Sequence, residues 1–219
     1  MSNINSAVND VLNKMHTYNQ VEKGTYGEQA VFKICEEFYQ RDGGILIHSY
    51  SYKTDKDQAG NIKRNDTGML YVENLSDYTE IDILYVSKFR VFPIEVKAYK
   101  AKEIRFDDAG IYGCYKTDKS PVHQNEMHCR HLYPRLFRAL QDGSTEFIVP
   151  IVCMVDRATI IDERSDWQKD YIQLCVLDNL ESTIQRFNQP IGYQLNLKLV
   201  DQILKECMIK NEKYLPPRI

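Results

Sequence analysis

The sequence predicts a mixed α/β fold, and three observations carry that prediction. Apolar residues recur at helical spacing near the N-terminal end, two strand-like runs stand on either side of a short connection, and further strand-like and helix-like runs alternate after them without repeat or low-complexity tract.

The first element is an amphipathic helix over Tyr26–Gln40, where Ala30, Val31, Ile34, Cys35 and Phe38 form one stripe and Gly43-Gly44 supplies a stop. Ile45–Tyr52 is rich in branched and aromatic residues and fits a strand. Lys53–Asp66 is charged and turn-rich, a surface excursion, and Thr67–Asn74 is expected to add a short strand. Thr79–Val86 and Val91–Ala98 are two strands joined as a hairpin by Ser87-Lys88-Phe89-Arg90. Tyr99–Ser120 is polar, aromatic and irregular. A helix over His123–Leu140 follows, with Leu132, Leu136 and Leu140 on one face and Pro134 placed to kink it. Phe147–Val155 and Tyr171–Leu177 are expected as buried strands, Leu180–Phe187 as a short helix capped by Asp178 or Asn179, and Leu197–Lys213 as a last helix before a polar tail ending in Pro216-Pro217. No interdomain linker interrupts the pattern. The expectation is a single domain over residues 1–219, with a core over 24–155 and a C-terminal strand and helices over 156–219 packing on it.

Composition narrows the function. The 219 residues are 43% apolar and 27% charged, values of a folded globular chain rather than a disordered or fibrous one. A formal net charge of -3 provides no global positive field, so a polyanionic partner needs a local basic patch. The longest apolar run, Phe147–Val155, is broken by Pro150 and far shorter than the roughly 20 residues that span a bilayer, so no membrane helix is expected. The N-terminal MSNINSAVNDVLNKM lacks the apolar stretch of a secretory signal, which points to the cytoplasm. Cys35, Cys114, Cys129, Cys153, Cys175 and Cys207 include no CxxC pair and read as reduced, mostly buried thiols.

The hairpin carries the chemistry. With Lys88-Phe89 as its turn, facing residues sum to 177, and Asp82 lies opposite Glu95. Directly opposed like charges destabilise a sheet unless something positive sits between them. Lys97 projects from the same face as Glu95 because strand side chains alternate. Apolar Ile81, Ile83, Leu84, Ile94 and Val96 flank the trio, so these charges emerge from a core-forming sheet. Oxygen ligands so arranged suit a hard cation, Mg²⁺ or Mn²⁺, and the chemistry that follows is phosphodiester hydrolysis. An ordinary ion pair of Lys97 with Glu95 or Asp82 on a solvated face is the competing reading.

Four blocks resemble the NERD (nuclease-related) family of the PD-(D/E)xK nuclease superfamily: Gly24-x-x-Gly27-Glu28, Thr79-Glu80-Ile81-Asp82, Ile94-Glu95-Val96-Lys97, and Ser120-Pro121-x-x-Gln124-Asn125-x-x-His128. The similarity covers roughly Gly24 to Leu140, and Phe147–Val155 fits the end of the family's core. The resemblance implies a mixed sheet flanked by helices in a restriction-endonuclease-like core, and a divalent metal held by Asp82, Glu95 and the Val96 carbonyl. It implies Lys97 as the catalytic lysine, with Glu28 and Gln124 completing the pocket and Glu28 among the metal residues. It departs from the family pattern in having Tyr112 or Tyr115 where a Trp is usual and in a long insertion before Thr79.

The remaining candidates divide by role. Glu28 alone reads as a first-turn acid favoured by the helix dipole, and Gln124 as a hydrogen-bonder at a helix start. His123, His128, His131 and Cys129 spread over several faces of one helix with no second ligand cluster, which argues against zinc. His48 and His16 read as structural or solvated. Between Glu95 and Arg138 nine cations stand against six acids, and Tyr99, Lys100, Lys102, His128 and Arg130 are candidate nucleic-acid contacts, with Tyr99, Tyr112 and Tyr115 able to stack on bases. The expected activity is a metal-dependent DNA nuclease. An RNA-cleaving enzyme and a non-catalytic nucleic-acid- or partner-binding module with the same fold are the alternatives, and an oligomer or a protein partner fits either.

Overall fold

Helix α1 (Gln20–Asp42) opens the fold, starting before the expected Tyr26, and buries the predicted stripe of Ala30, Val31, Ile34, Cys35 and Phe38 together with Phe32 and Tyr39. It stops at Gly43, whose amide donates to the Tyr39 carbonyl. Gly43 and Gly44 have φ of 79° and 109°, and a Cβ on either would lie 2.2 or 2.1 Å from the Arg218 or Val86 carbonyl oxygen. Only glycine fits both the left-handed backbone and that approach. The computed structural model describes residues 20–53, 63–64, 70–71, 78–99, 101–108, 110–112, 120–140, 146–156, 158–190 and 192–218.

The central sheet contains β1 (Gly44–Lys53), β4 (Tyr78–Val86), β5 (Val91–Lys97), β8 (Ile151–Met154), β10 (Gln173–Val176), β11 (Met208–Lys210) and β12 (Lys213–Arg218). Between β1 and β4, β2 (Lys63–Arg64) pairs with β3 (Leu70–Tyr71). The sheet order is β10-β8-β5-β4-β1, and β11 and β12 share the outer edge of β1. β5, β8 and β10 are parallel, and the remaining pairs are antiparallel. One face packs on α1 and α4 (Leu177–Phe187) through residues such as Ile83, Tyr85, Ile94, Cys153 and Cys175. The other packs on α2 (Pro121–Leu136) and α5 (Leu197–Cys207) through Ile47, Tyr50, Tyr52, Ile81 and Leu84. The result is the expected mixed sheet flanked by helices. Among the described residues no helix is long and apolar enough to cross a membrane.

The hairpin register holds as read: Ile83 pairs with Ile94, Leu84 with Pro93, Tyr85 with Phe92 and Val86 with Val91. The Ser87 hydroxyl stabilises the turn by accepting from the Phe89 and Arg90 amides.

Several expectations are corrected. The stretch after the hairpin is not wholly irregular. β6 (Glu103–Asp107) and β7 (Gly110–Tyr112) form a hairpin, and β6 also pairs with β9 (Thr159–Asp162) in a separate three-stranded sheet. β6 buries Ile104 and Phe106 while Glu103 and Arg105 face outward, a period of two concealed by its charge. The second long helix starts at Pro121, where the missing amide costs nothing. It runs through Pro134 to Leu136, and Phe137–Ala139 tightens into a 3₁₀ turn. The run Phe147–Val155 yields a strand only from Ile151, because Pro150 has no amide for the ladder. Tyr171 belongs to α3 (Asp166–Tyr171) rather than to the following strand. α4 begins at Leu177 with Val176 as its N-cap, so Asp178 lies in the first turn and neither Asp178 nor Asn179 caps it. The last helix ends at Cys207; its expected final turns are replaced by β11 and the expected polar tail by β12, both drawn into strand conformation by the open edge of β1. Cys35, Cys129, Cys153 and Cys175 are buried free thiols and Cys207 is half-buried; Cys114 lies outside the described residues.

Candidate active site

The β4–β5 ladder stops at Ile83 and Ile94, one residue short of Asp82 and Glu95. There Asp82 Oδ2 accepts the Val96 amide at 2.7 Å, a side chain replacing the backbone partner that β4 no longer offers. Val91 and Lys97 turn their polar backbone toward the β8 side. By alternation Val96 turns toward β4, so its carbonyl points to the same edge as Asp82, beyond the last paired residues.

Glu95 is 1% exposed. One oxygen is bonded by the Lys97 ammonium, and the other stands 3.5 Å from His128 Nε2. His128, itself buried, has its Nδ1 3.4 Å from the Tyr52 hydroxyl. Burial pushes the Tyr52 hydroxyl well up and keeps it neutral beside Nδ1. The sequence places His128 near the site as a phosphate contact; that it faces Glu95 as that carboxylate's second partner is what the sequence reading missed. Its signal was Asn125-x-x-His128, two residues one helical turn apart. Asn125 is completely buried and donates to the carbonyls of Pro93 at 3.1 Å and Ile151 at 2.8 Å. It pins α2 across the β5–β8 seam and thereby sets His128 over Glu95.

Electrostatics separates the two carboxylates. Burial raises Asp82 well above the ordinary carboxylate range; Glu95 adds to the rise and Glu28 adds further, against a partial counterpull from Lys97 and the Val96 amide. Burial also opposes ionisation of Glu95, but hydrogen bonding from His128 and the Lys97 charge prevail and hold it below that range. Burial would likewise lower Lys97, yet the charges of Glu95 and Asp82 prevail and raise it. Glu95 and Lys97 therefore form an ionised pair, and Asp82 is the carboxylate whose ionised form its surroundings disfavour.

Glu28 comes from α1. Gly27 makes this approach close, since a Cβ there would lie 2.6 Å from Val155 Cγ2. Glu28 Oε2 stands 3.5 Å from Nε2 of His48, a buried residue of β1. Gln124 is half-buried in the first turn of α2, its amide bonded to the Ser120 carbonyl. Of the expected nucleic-acid contacts, Lys102 is exposed, and Arg130 is exposed and bonded to Glu126 at 2.6 Å. Tyr99 packs against the apolar cluster of Ile104, Phe106 and Val122, and His128 is turned inward. Lys100 lies outside the described residues, as do the side chains of Tyr112 and Tyr115.

Among the described residues no three His, Cys, Asp or Glu side chains converge to form a complete metal cage. The set present, Asp82 and Glu95 with a backbone carbonyl turned toward them, nevertheless fits a hard cation that binds through one or two carboxylates and retains waters. Glu95 Oε2 is buried without a hydrogen bond of normal geometry, and a cation would favour the ionised form of Asp82 that burial and Glu95 oppose.

A family model described as a nuclease-related domain, NERD, matches residues 23–155. That span contains Glu28, Asp82, Glu95, Lys97, Gln124 and His128. No curated protein and no solved structure matches the chain.

Proposed function

The chain belongs to the NERD family of nuclease-related domains, and on that premise we propose that it is a metal-dependent nuclease that hydrolyses DNA phosphodiester bonds. The observation that carries the reading is the meeting of Asp82, Glu95 and Lys97 where the β4–β5 ladder ends.

Asp82, Glu95 and the Val96 carbonyl would hold Mg²⁺ or Mn²⁺, with Glu28 beside them. When bound, the ion would supply Lewis-acid polarisation of the phosphate and lower the pKa of a bound water. Lys97, kept protonated by the neighbouring carboxylates, orients the attacking water and offsets charge developing on the phosphoryl oxygens. His128 holds the second oxygen of Glu95 in place from beneath, and burial of the pair excludes solvent from that side. Gln124 closes the pocket from the α2 side. Lys100, Lys102 and Arg130 would contact the phosphate backbone, and Tyr99 a base.

The test is cleavage of single- and double-stranded DNA with Mg²⁺ or Mn²⁺ by wild type, Lys97→Ala and Glu95→Ala. Cleavage by wild type alone is expected, and equal activity in all three proteins refutes the reading. RNA substrates run in parallel decide which sugar is accepted. DNA binding without metal binding would identify a non-catalytic module instead.

A further inference from the structure

We infer that Glu212 and His48 form a positioning pair that holds Glu28 on the acidic site for cation binding. The inference rests on the nuclease reading above and extends it to a segment outside the family match at residues 23–155. His48 lies between two carboxylates: its Nδ1 is 3.1 Å from Glu212 and its Nε2 is 3.5 Å from Glu28. With Nδ1 facing Glu212, the other ring nitrogen faces Glu28, so a ring carrying a proton on each nitrogen donates to both carboxylates and a neutral ring to only one of them.

The backbone places Glu212 deliberately. β1 pairs with β11 at Ser51↔Lys210 and with β12 at His48↔Lys213, and the two C-terminal strands break between those points. The break sets Glu212 beside His48: its main-chain amide donates to the His48 carbonyl at 2.9 Å, while its side chain stays exposed over the Nδ1 edge of the ring. Ser49, next in the chain, has φ of 54°, a left-handed backbone that a residue with a side chain rarely adopts. The β1–β4 register passes from His48↔Ile83 to Tyr50↔Ile81, which sets Ser49 level with Asp82. The strained residue thus neighbours His48 in the chain and Asp82 across the ladder.

The same C-terminal segment grips α1. Glu28, Phe32 and Glu36 share a helix face at four-residue spacing. Phe32 packs on the His48 ring with centroids 5.3 Å apart, and Lys213 reaches both the Phe32 ring at 4.7 Å and Glu36 at 2.8 Å. Rotation of α1, and with it Glu28, is therefore limited by β12.

The experiment is Mn²⁺ titration by calorimetry on the full chain, with far-UV circular dichroism of each variant. His48→Leu is expected to weaken Mn²⁺ binding about 10-fold, and Glu212→Ala to weaken it by a smaller factor. His48→Gln, which retains a donor toward Glu28, and Glu212→Gln, which retains an acceptor for Nδ1–H, should stay near wild type. Wild-type affinity in all four variants overturns the inference while leaving the nuclease reading intact. Weakened affinity only in variants that have lost their fold overturns it equally, and a wild-type chain that binds no Mn²⁺ removes both.

Discussion

Asn125 gives the sharpest test of how this site is assembled. Its amide makes two hydrogen bonds to main-chain carbonyls in a fully buried position. At about 1 kcal/mol net per hydrogen bond, with a small cavity added, Asn125→Ala should cost about 2–3 kcal/mol. For a domain of this size that lowers Tm by roughly 4–12 °C. Asn125→Asp preserves shape but brings an acceptor-only carboxylate against two carbonyl oxygens, so it should cost more than alanine at neutral pH, above about 3 kcal/mol. Its deficit should shrink in mild acid, where a protonated carboxyl regains one donor. Urea denaturation followed by far-UV circular dichroism measures all three proteins. If Asn125→Asp is as stable as wild type, or more stable than Asn125→Ala at pH 7, packing rather than hydrogen bonding holds α2, and the account of how His128 reaches Glu95 falls.

Two further predictions follow from the same geometry. Asp82 has a folded-state pKa raised by burial and by Glu95, so its protonated form is the one the metal-free fold favours. Its contribution is full below the ordinary aspartate value of about 3.9 and is lost as pH rises through the raised folded value. Without metal, wild type should therefore lose stability with rising pH across that window more steeply than Asp82→Asn, whose Tm at neutral pH should be higher; identical pH profiles would contradict this. Gly27→Ala gains about 1 kcal/mol of helix propensity but places its Cβ 2.6 Å from Val155 Cγ2, and overpacking of this kind costs about 1–3 kcal/mol. Its Tm should not exceed that of wild type, and Val155→Ala in the same chain should recover part of any loss; a plainly stabilised Gly27→Ala would show that α1 is not pressed against the sheet there.

The legible part of the site was the part built from local alternation. A tight turn with apolar flanks allows one register, so Asp82, Glu95 and Lys97 could be brought together from their numbers alone, and the observed pairing Ile83↔Ile94 has that register. The residues behind them were harder to read. His128 and Asn125 stood in one motif, yet that the one faces Glu95 at 3.5 Å and the other bonds two carbonyls depends on how α2 crosses β5 and β8, which no helical period encodes. β6 was hidden because its outward positions are charged, and β12 because Pro216 and Pro217 argue against a strand except at an edge.

Periodicity, glycine stops and hairpin register are properties of neighbours in the chain, and they sufficed for the fold class, the first helix, the central hairpin and its charged trio. Pairing over long separations belongs to the tertiary structure. Only the folded sheet leaves one edge of β1 open to the last residues of the chain, and only there does Glu212 come within reach of His48, which faces Glu28. The physical reason is that an unpaired strand edge accepts whatever segment the packed helices deliver to it, and local sequence carries no record of that delivery.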